Sequence, residues 1–291
     1  GSEILSLPVN CIRHVQGEDG LMMGLAWDPA KGGMPLTKFA ASEQFEKLAS
    51  ETVEFLINLG GSPRKAALWY AENPGKLYLP RGMEHLRGNP ITLYEAAKIM
   101  GKDTAIHSSH APRYGLVKVE GKTTDPARRS DPNGHWAGLF DFTSLEKYVL
   151  AKLPEIFPIL DGSTGLKWHE GLFVLPENIL SPTAETLHNV PAVFSVNQFN
   201  NQLGANPHGV TIFSRHGKTQ RDGSPMAITT HGFRHLLNTL AQSKHLSESL
   251  IAFWSGRKDV KQNEWYDHVP QEAFIEAYLK LGDNIGGIAS A

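Results

Sequence analysis

Cysteine is nearly missing from this chain of 291 residues: Cys11 is the single one. One thiol excludes an intramolecular disulfide framework and a zinc site built from cysteines. With Val9 and Ile12 beside it, Cys11 reads as a buried structural thiol. Long apolar runs are missing too. No stretch approaches the length that spans a membrane, and no charged, then apolar, then small-residue leader is visible, so a cytoplasmic protein is expected. Neither sign of charge dominates: 28 basic residues face 30 acidic ones, a formal charge of −2. That balance argues against a general DNA coat, because phosphate binding leaves a basic footprint. Repeats and low-complexity tracts are absent, and the 28 Gly and 18 Pro are scattered, which predicts many loops inside a folded unit. With 41% apolar residues the chain can bury a sizeable core, as one elaborated domain or two.

What is present reads as alternating short elements. Ser2 to Pro8 looks like the end of a helix. The apolar run Leu21 to Trp27 predicts a strand, Asp28-Pro-Ala-Lys-Gly-Gly its turn, and Pro35 to Ala40 the return strand. From Ser42 a helical period takes over, with Phe45, Leu48, Ala49, Thr52, Val53 and Leu56 on one face and Gly60-Gly61 as its end. Ser62-Pro63 predicts a cap followed by proline at the first helical position, opening a helix through Trp69 and Tyr70. Thr92-Leu-Tyr-Glu95 is a capping box ahead of Ala96, Ala97, Ile99 and Met100. The stretch to Gly101 reads as a plain amphipathic helix or as the first helix of a helix-turn-helix, though no recognition helix follows Asp103. Residues 104 to 135 are polar and predict long loops. Ser144 to Leu153 predicts a helix stopped by Pro154, Leu172 to Leu175 a buried strand, and Ser181 to Pro191 an irregular segment. Further helices are predicted over His231 to Gln242, over Glu248 to Trp254, and beyond Pro270 through Phe274, Ile275 and Tyr278. Residues 281 to 291 predict a loose tail.

The last third carries the chemistry. Thr230-His231-Gly-Phe-Arg234-His235 is followed by Trp254-Ser-Gly256-Arg257 and then by Trp265-Tyr266-Asp-His268-Val. Arg234 stands 23 residues before Arg257, and Tyr266 nine after it. His231 lies one helical turn before Arg234, so both can project toward one phosphate. A guanidinium offers a planar fork that fits two phosphate oxygens, which a lysine cannot match. Tyrosine ionises near pH 10 when free, so a nucleophilic phenolate needs a cationic setting. Locally that setting exists: between Asn206 and Lys244 stand Arg215, Lys218, Arg221, Arg234 and Lys244, four histidines and the single carboxylate Asp222.

This series resembles the tyrosine recombinases of the phage-integrase family, best from about residue 206 to 270 and more faintly from 3 to 60. The resemblance implies a mainly helical α+β catalytic domain with a small β-sheet. Its core segments would be 1–73 and 206–280, with 74–205 as a large insertion or subdomain. It implies DNA strand cleavage and rejoining through a 3′-phosphotyrosine, with Tyr266 as nucleophile and Arg234, His231 and Arg257 around the scissile phosphate. Arg234, Arg257, His235, Lys38 and His268 would contact the substrate. Lys31, in the turn between the two predicted strands, matches the family's hairpin lysine, the general acid to the leaving group, and Lys38 on the return strand competes for that role. The implied partner is double-stranded DNA, with self-association on it as dimer or tetramer and a place at the nucleoid. No cofactor is implied.

Two departures qualify the match. Arg257 stands where the family has His or Trp, and arginine cannot exchange a proton at working pH. The family's first catalytic arginine would fall one residue before Gly1, given that Glu3 resembles the glutamate of its Arg-x-x-Glu helix. The expectation is therefore a fragment of a longer recombinase, inactive or impaired alone, without its N-terminal DNA-clamping domain. Two other readings stay open. A metal enzyme would use His231 with His235, or His107 with His110, but neither pair has a clear third ligand in sequence. A non-catalytic DNA-binding module would keep the basic stretch and the Leu93 helix without the chemistry.

Overall fold

The computed structural model describes residues 2–17, 20–28, 36–40, 43–125, 128, 138–181, 183–204, 209–229 and 232. By its contacts the chain divides into two compact units, Gly1–Phe55 with Phe194–Ala291, and Leu56–Val193. Helices and small antiparallel sheets both occur, so the class is α+β. No helix among the described residues is long and apolar enough to cross a membrane.

In the first unit a short helix α1 (Ser2–Leu5) leads into a three-stranded antiparallel sheet. Its strands are β1 (Ile12–Gly17), β2 (Gly20–Trp27) and β3 (Leu36–Phe39), in the order β1-β2-β3. The expected hairpin is present as β2 and β3. β1 was not legible in the sequence, because Ile12-Arg-His-Val-Gln places its two apolar residues three apart and breaks the strict alternation that marks a strand. Met23 is buried at the sheet's centre and Cys11 is fully buried at its edge, where its carbonyl accepts from the Ala26 N–H at 2.7 Å. Burial pushes the Cys11 thiol above its ordinary pKa, as a structural thiol requires. Helix α2 (Glu43–Leu59) begins in this unit with Glu43 and Glu46 at its positive end, and its residues from Leu56 onward belong to the second unit. Its inward stripe is narrower than the sequence suggested. Val53 is buried with Ala49 and Leu56 partly covered, whereas Leu48 is 59% exposed. Residues 49, 53 and 56 follow the i, i+4, i+7 spacing of a single seam, which leaves the flanking apolar positions outside it.

The second unit is built around α4 (Leu93–Met100), whose residues are buried except Tyr94 and Lys98. α3 (Gly61–Glu72) and α5 (Phe142–Leu150) join it in one core with Tyr70, Leu86, Ile91, Leu145, Leu187 and Val190. The unit also has three antiparallel strand pairs, β4 (Lys118–Lys122) with β5 (Gly138–Phe140), β6 (Ile159–Asp161) with β7 (Leu166–Lys167), and β8 (Val174–Glu177) with β9 (Leu187–Val193). Of these, β5 and β9 contribute to this core, while Leu160 of β6 and Val174 of β8 join a second cluster with Ala67 and Trp168.

Several local expectations change here. Gly60, not Ser62, is the N-cap of α3, and the Ser62 hydroxyl donates instead to Asn189 Oδ1 across the unit. The segment 181–191, expected to be irregular, enters β9 at Leu187. Its two prolines hid the strand, yet Pro191 faces Pro176 in a two-stranded ladder with a register shift, where missing donors matter little. α5 begins at Phe142 because Asp141 caps it, accepting from the Thr143 and Ser144 N–H groups. Among the described residues α4 is followed by a 3-10 stretch, Ser108–Tyr114, and the next α-helix is α5. The second helix of a helix-turn-helix therefore does not follow α4 directly.

The capping box is present as the sequence predicts. Glu95 N–H donates to Thr92 Oγ1 at 3.2 Å, Glu95 Oε2 accepts from Thr92 N–H at 2.8 Å, and Arg128 Nε donates to Glu95 Oε1 at 2.8 Å. Thr92→Ala should lower the unfolding free energy by about 1–2 kcal/mol, read from the shift in a urea transition. A second tie lies on the surface. Burial raises the Glu185 pKa, but hydrogen bonds from Lys102, from the Thr104 N–H and from its hydroxyl outweigh it, so the carboxyl falls below its ordinary 4.5. A lowered folded-state pKa stabilises the fold above the unfolded value, and the gain is lost as pH falls through the lowered one. Unfolding free energy should therefore drop on acidification below about pH 4.5, and Glu185→Gln should flatten that limb.

Candidate functional site

The described part of the candidate site starts at the β2–β3 hairpin. Trp27 pairs with Leu36 and Leu25 with Lys38, so Trp27, two residues beyond Leu25, shares a face with Lys38 along the strand diagonal. The Lys38 ammonium lies 5.0 Å from the centre of the Trp27 ring, a cation–π contact. The Trp27 Nε1–H is buried with no hydrogen-bond partner. Lys31 belongs to the connection between the two strands, outside the described residues.

The second described part is the approach to His231. Helix α6 (Val196–Gln202) is opened by a capping box of Ser195 and Gln198 and runs out through Leu203 to Gly204. There the Leu203 carbonyl accepts from the Ile228 N–H at 2.8 Å, which ties residue 228 to the end of α6. Gly204 has φ +104°, and a Cβ on it would stand 2.8 Å from the Ala227 Cα. Only glycine suits both demands. One residue past Ile228, the Thr229 hydroxyl accepts from the Gly232 N–H at 2.9 Å, and Gly232 is helical. The helix that the sequence predicts over His231 to Gln242 lies, but for Gly232, outside the described residues.

Between these parts, α7 (Ile212–Arg215), capped by Thr211 and Ser214, and a bridge of Thr219 with Pro225 present Arg215, Lys218 and Arg221 as exposed cations. The one carboxylate there, Asp222, is engaged by its own turn. It accepts from the Ser224 hydroxyl at 2.7 Å and N–H at 2.9 Å, and these bonds lower its pKa.

Of the expected site residues, Lys38 is described, half-buried on the hairpin. Lys31, His231, Arg234, His235, Arg257, Tyr266 and His268 lie outside the described residues. The other histidine pair is described: the His107 and His110 rings stand edge-on at 6.0 Å. His107 Nδ1 accepts from the Ser109 N–H at 3.3 Å, capping the 3-10 stretch that follows. Among the described residues no group of three or more His, Cys, Asp and Glu side chains is placed to hold a metal.

The second unit contains a cleft that sequence reasoning missed. It has a volume of about 680 Å³, and its walls include His85, Asn89, Tyr94, Lys98 and Arg128. Lys98 lies over the Tyr94 ring at 4.3 Å, an i, i+4 pair visible in sequence but without a sign that it borders a cavity.

Comparison of the chain with protein-family models, with curated proteins and with solved structures yields no match.

Gly204→Ala should destabilise the α6 exit, because a Cβ there meets backbone. A loss of about 1–3 kcal/mol in thermal or urea unfolding is expected. A substitution without effect would show that this contact does not hold residue 228.

Proposed function

We propose that the chain is the catalytic part of a tyrosine recombinase, which cuts and rejoins double-stranded DNA through Tyr266. The observation that carries this reading is the ordered series His231-x-x-Arg234, Arg257 and Tyr266, downstream of an antiparallel hairpin with a lysine in its connection. The hairpin belongs to the unit that also takes in the chain from Phe194 onward. The exposed cations of residues 215–221 supply the local basic surface that the chain's overall charge does not.

In the proposed reaction the Tyr266 phenolate attacks the scissile phosphorus, forming an O–P bond as the bond from phosphorus to the 5′ oxygen breaks. The departing oxygen takes a proton from a lysine of the hairpin. His231 takes up the phenol proton or donates a hydrogen bond. Arg234 and Arg257 hold the charge that develops on the non-bridging oxygens. A 5′ hydroxyl of the incoming strand then reverses the step. The phosphotyrosine conserves the phosphodiester's energy, so the step as written calls for neither ATP nor a divalent ion.

The test uses the full-length protein with a nicked DNA site in EDTA. A covalent protein–DNA adduct should accumulate and disappear in Tyr266→Phe. An adduct that persists in that variant, or cleavage that requires Mg²⁺ and leaves a free 3′ hydroxyl, would refute the assignment. Arg234→Ala should weaken duplex binding and reduce the slope of log K against log salt by up to about one. Arg257, which cannot exchange a proton, favours a second reading: a recombinase-derived module that binds DNA without cutting it. Duplex binding with no adduct would select it.

A further inference from the structure

The cleft of about 680 Å³ lies wholly within the second unit. Its inner surface is apolar: Leu86 is buried there, with Met83 and Leu139 half-buried beside it. Charge is gathered on another side. Lys98 stands four residues after Tyr94 and three after Glu95, so these side chains share one face of α4. Glu95 is occupied within the wall, since its two oxygens accept from Thr92 and from Nε and Nη2 of Arg128. Nη2 of Arg128 also donates to the Pro90 carbonyl, which leaves its Nη1 N–H groups without an acceptor among the described residues. The Lys98 ammonium lies 4.3 Å from the centre of the Tyr94 ring and pairs with no carboxylate among the described residues. The ring covers one side of the ammonium and holds it at the cleft, and the remaining N–H groups stay open to an acceptor.

A cavity of this size, apolar with a few polar groups at one side, fits a small organic molecule. Its free donors call for an anionic end. Among the described residues the walls carry two cations, Lys98 and Arg128, two carboxylates, Glu95 and Asp125, and His85, and the field of Asp125 falls on Arg128. That balance favours one negative charge over a phosphate dianion. Leu86, Leu139 and the thioether of Met83 favour a flat ring as the body.

We propose that this cleft binds a small aromatic carboxylate, with its ring on Met83, Leu86 and Leu139 and its carboxylate on Lys98 and the Nη1 side of Arg128. The site is separate from the recombinase reading, and neither depends on the other.

The experiment is equilibrium dialysis of the intact chain against 2-naphthoate, with 2-naphthamide as its uncharged counterpart and acetate as an anion without a ring. 2-Naphthoate should bind saturably with a Kd below about 1 mM. The amide should bind about tenfold more weakly, and acetate at equal concentration should not displace the naphthoate. Lys98→Met should weaken 2-naphthoate about tenfold and leave the amide unchanged, a pattern that general loss of folding does not produce. Lys98→Arg should bind as the parental chain does. So should Lys65→Met, which removes an exposed lysine of α3 outside the cleft.

Absence of saturable 2-naphthoate binding would overturn the proposal. So would equal affinity for the amide, or displacement by acetate, because the charged side and the apolar body would then not act together. Unchanged binding in Lys98→Met, or an equal loss in Lys65→Met, would also overturn it, since Lys98 would have no particular part.

Discussion

The ends of an α-helix carry N–H and C=O groups with no partner inside it, and α4 meets that constraint with side chains gathered from across the sequence. At its start Thr92 and Glu95 satisfy each other's N–H groups, and Arg128 binds the remaining face of the Glu95 carboxylate while its own Nη2–H reaches the Pro90 carbonyl at 2.9 Å. At its end Asn189 Nδ2 donates to the Ile99 carbonyl at 3.0 Å, and the His188 N–H donates to that of Gly101 at 3.1 Å. Asn189 and His188 are neighbours on β9, and Asn189 also receives the Ser62 hydroxyl from α3. Closing the two ends of one buried helix thus fixes β9 and the start of α3 around it. Arg64 extends the same logic to the end of α2. It is buried without a carboxylate partner and donates to the carbonyls of Leu56, Ile57, Leu172 and Val174. Burial lowers its pKa, and the carbonyls are the acceptors that keep a desolvated guanidinium tolerable.

The local half of this arrangement was legible in the sequence and the long-range half was not. Thr92 and Glu95 are three residues apart, so the box could be read directly, as could the strand, turn and strand of residues 21–40. The partners Asn189 and Arg128 lie 97 and 36 residues beyond Thr92, with no pattern that links them to it. Ser62 shows the resulting error. Its sequence context is that of an N-cap, but a tertiary acceptor competes for its hydroxyl and Gly60 takes the cap position. β9 shows another: strand propensity read through Pro191 fails where a two-stranded ladder leaves that position free of an obligatory donor.

The candidate site divides in the same way. The types and spacing of His231, Arg234, Arg257 and Tyr266 are written in order along the chain, whereas the contact of Lys38 with Trp27 depends on strand register. Moving β3 by one residue would send Lys38 to the opposite face of the sheet. The sequence favoured Lys31 with Lys38 as its competitor, and which face of the sheet Lys38 occupies follows only from its pairing with Leu25. The glycine at 204 is a similar case. Twenty-eight glycines offer no way to choose among themselves, and the close approach of Ala227 marks this one as a fixed point ahead of the His231 segment.

In the proposed function the formal charge of −2 matters less than how charge is distributed locally. Binding a scissile phosphate depends on cations within a few ångströms of it, since charges farther off than a Debye length of about 10 Å are largely screened. Along residues 215–224 the described surface offers Arg215, Lys218 and Arg221, while the exposed carboxylate of Asp222 is hydrogen-bonded to Ser224 within its own turn, which lowers its pKa. An ionised Asp222 subtracts from the patch, although its Oδ1 already accepts from both the Ser224 hydroxyl and N–H. In the proposed function this stretch would contact the DNA backbone beside the cleavage point, and the acidic residues that balance the chain's total would lie where no phosphate approaches. Net charge then reports on the whole molecule's solubility and association, while the distribution of charge along a single turn-rich segment bears on the reaction.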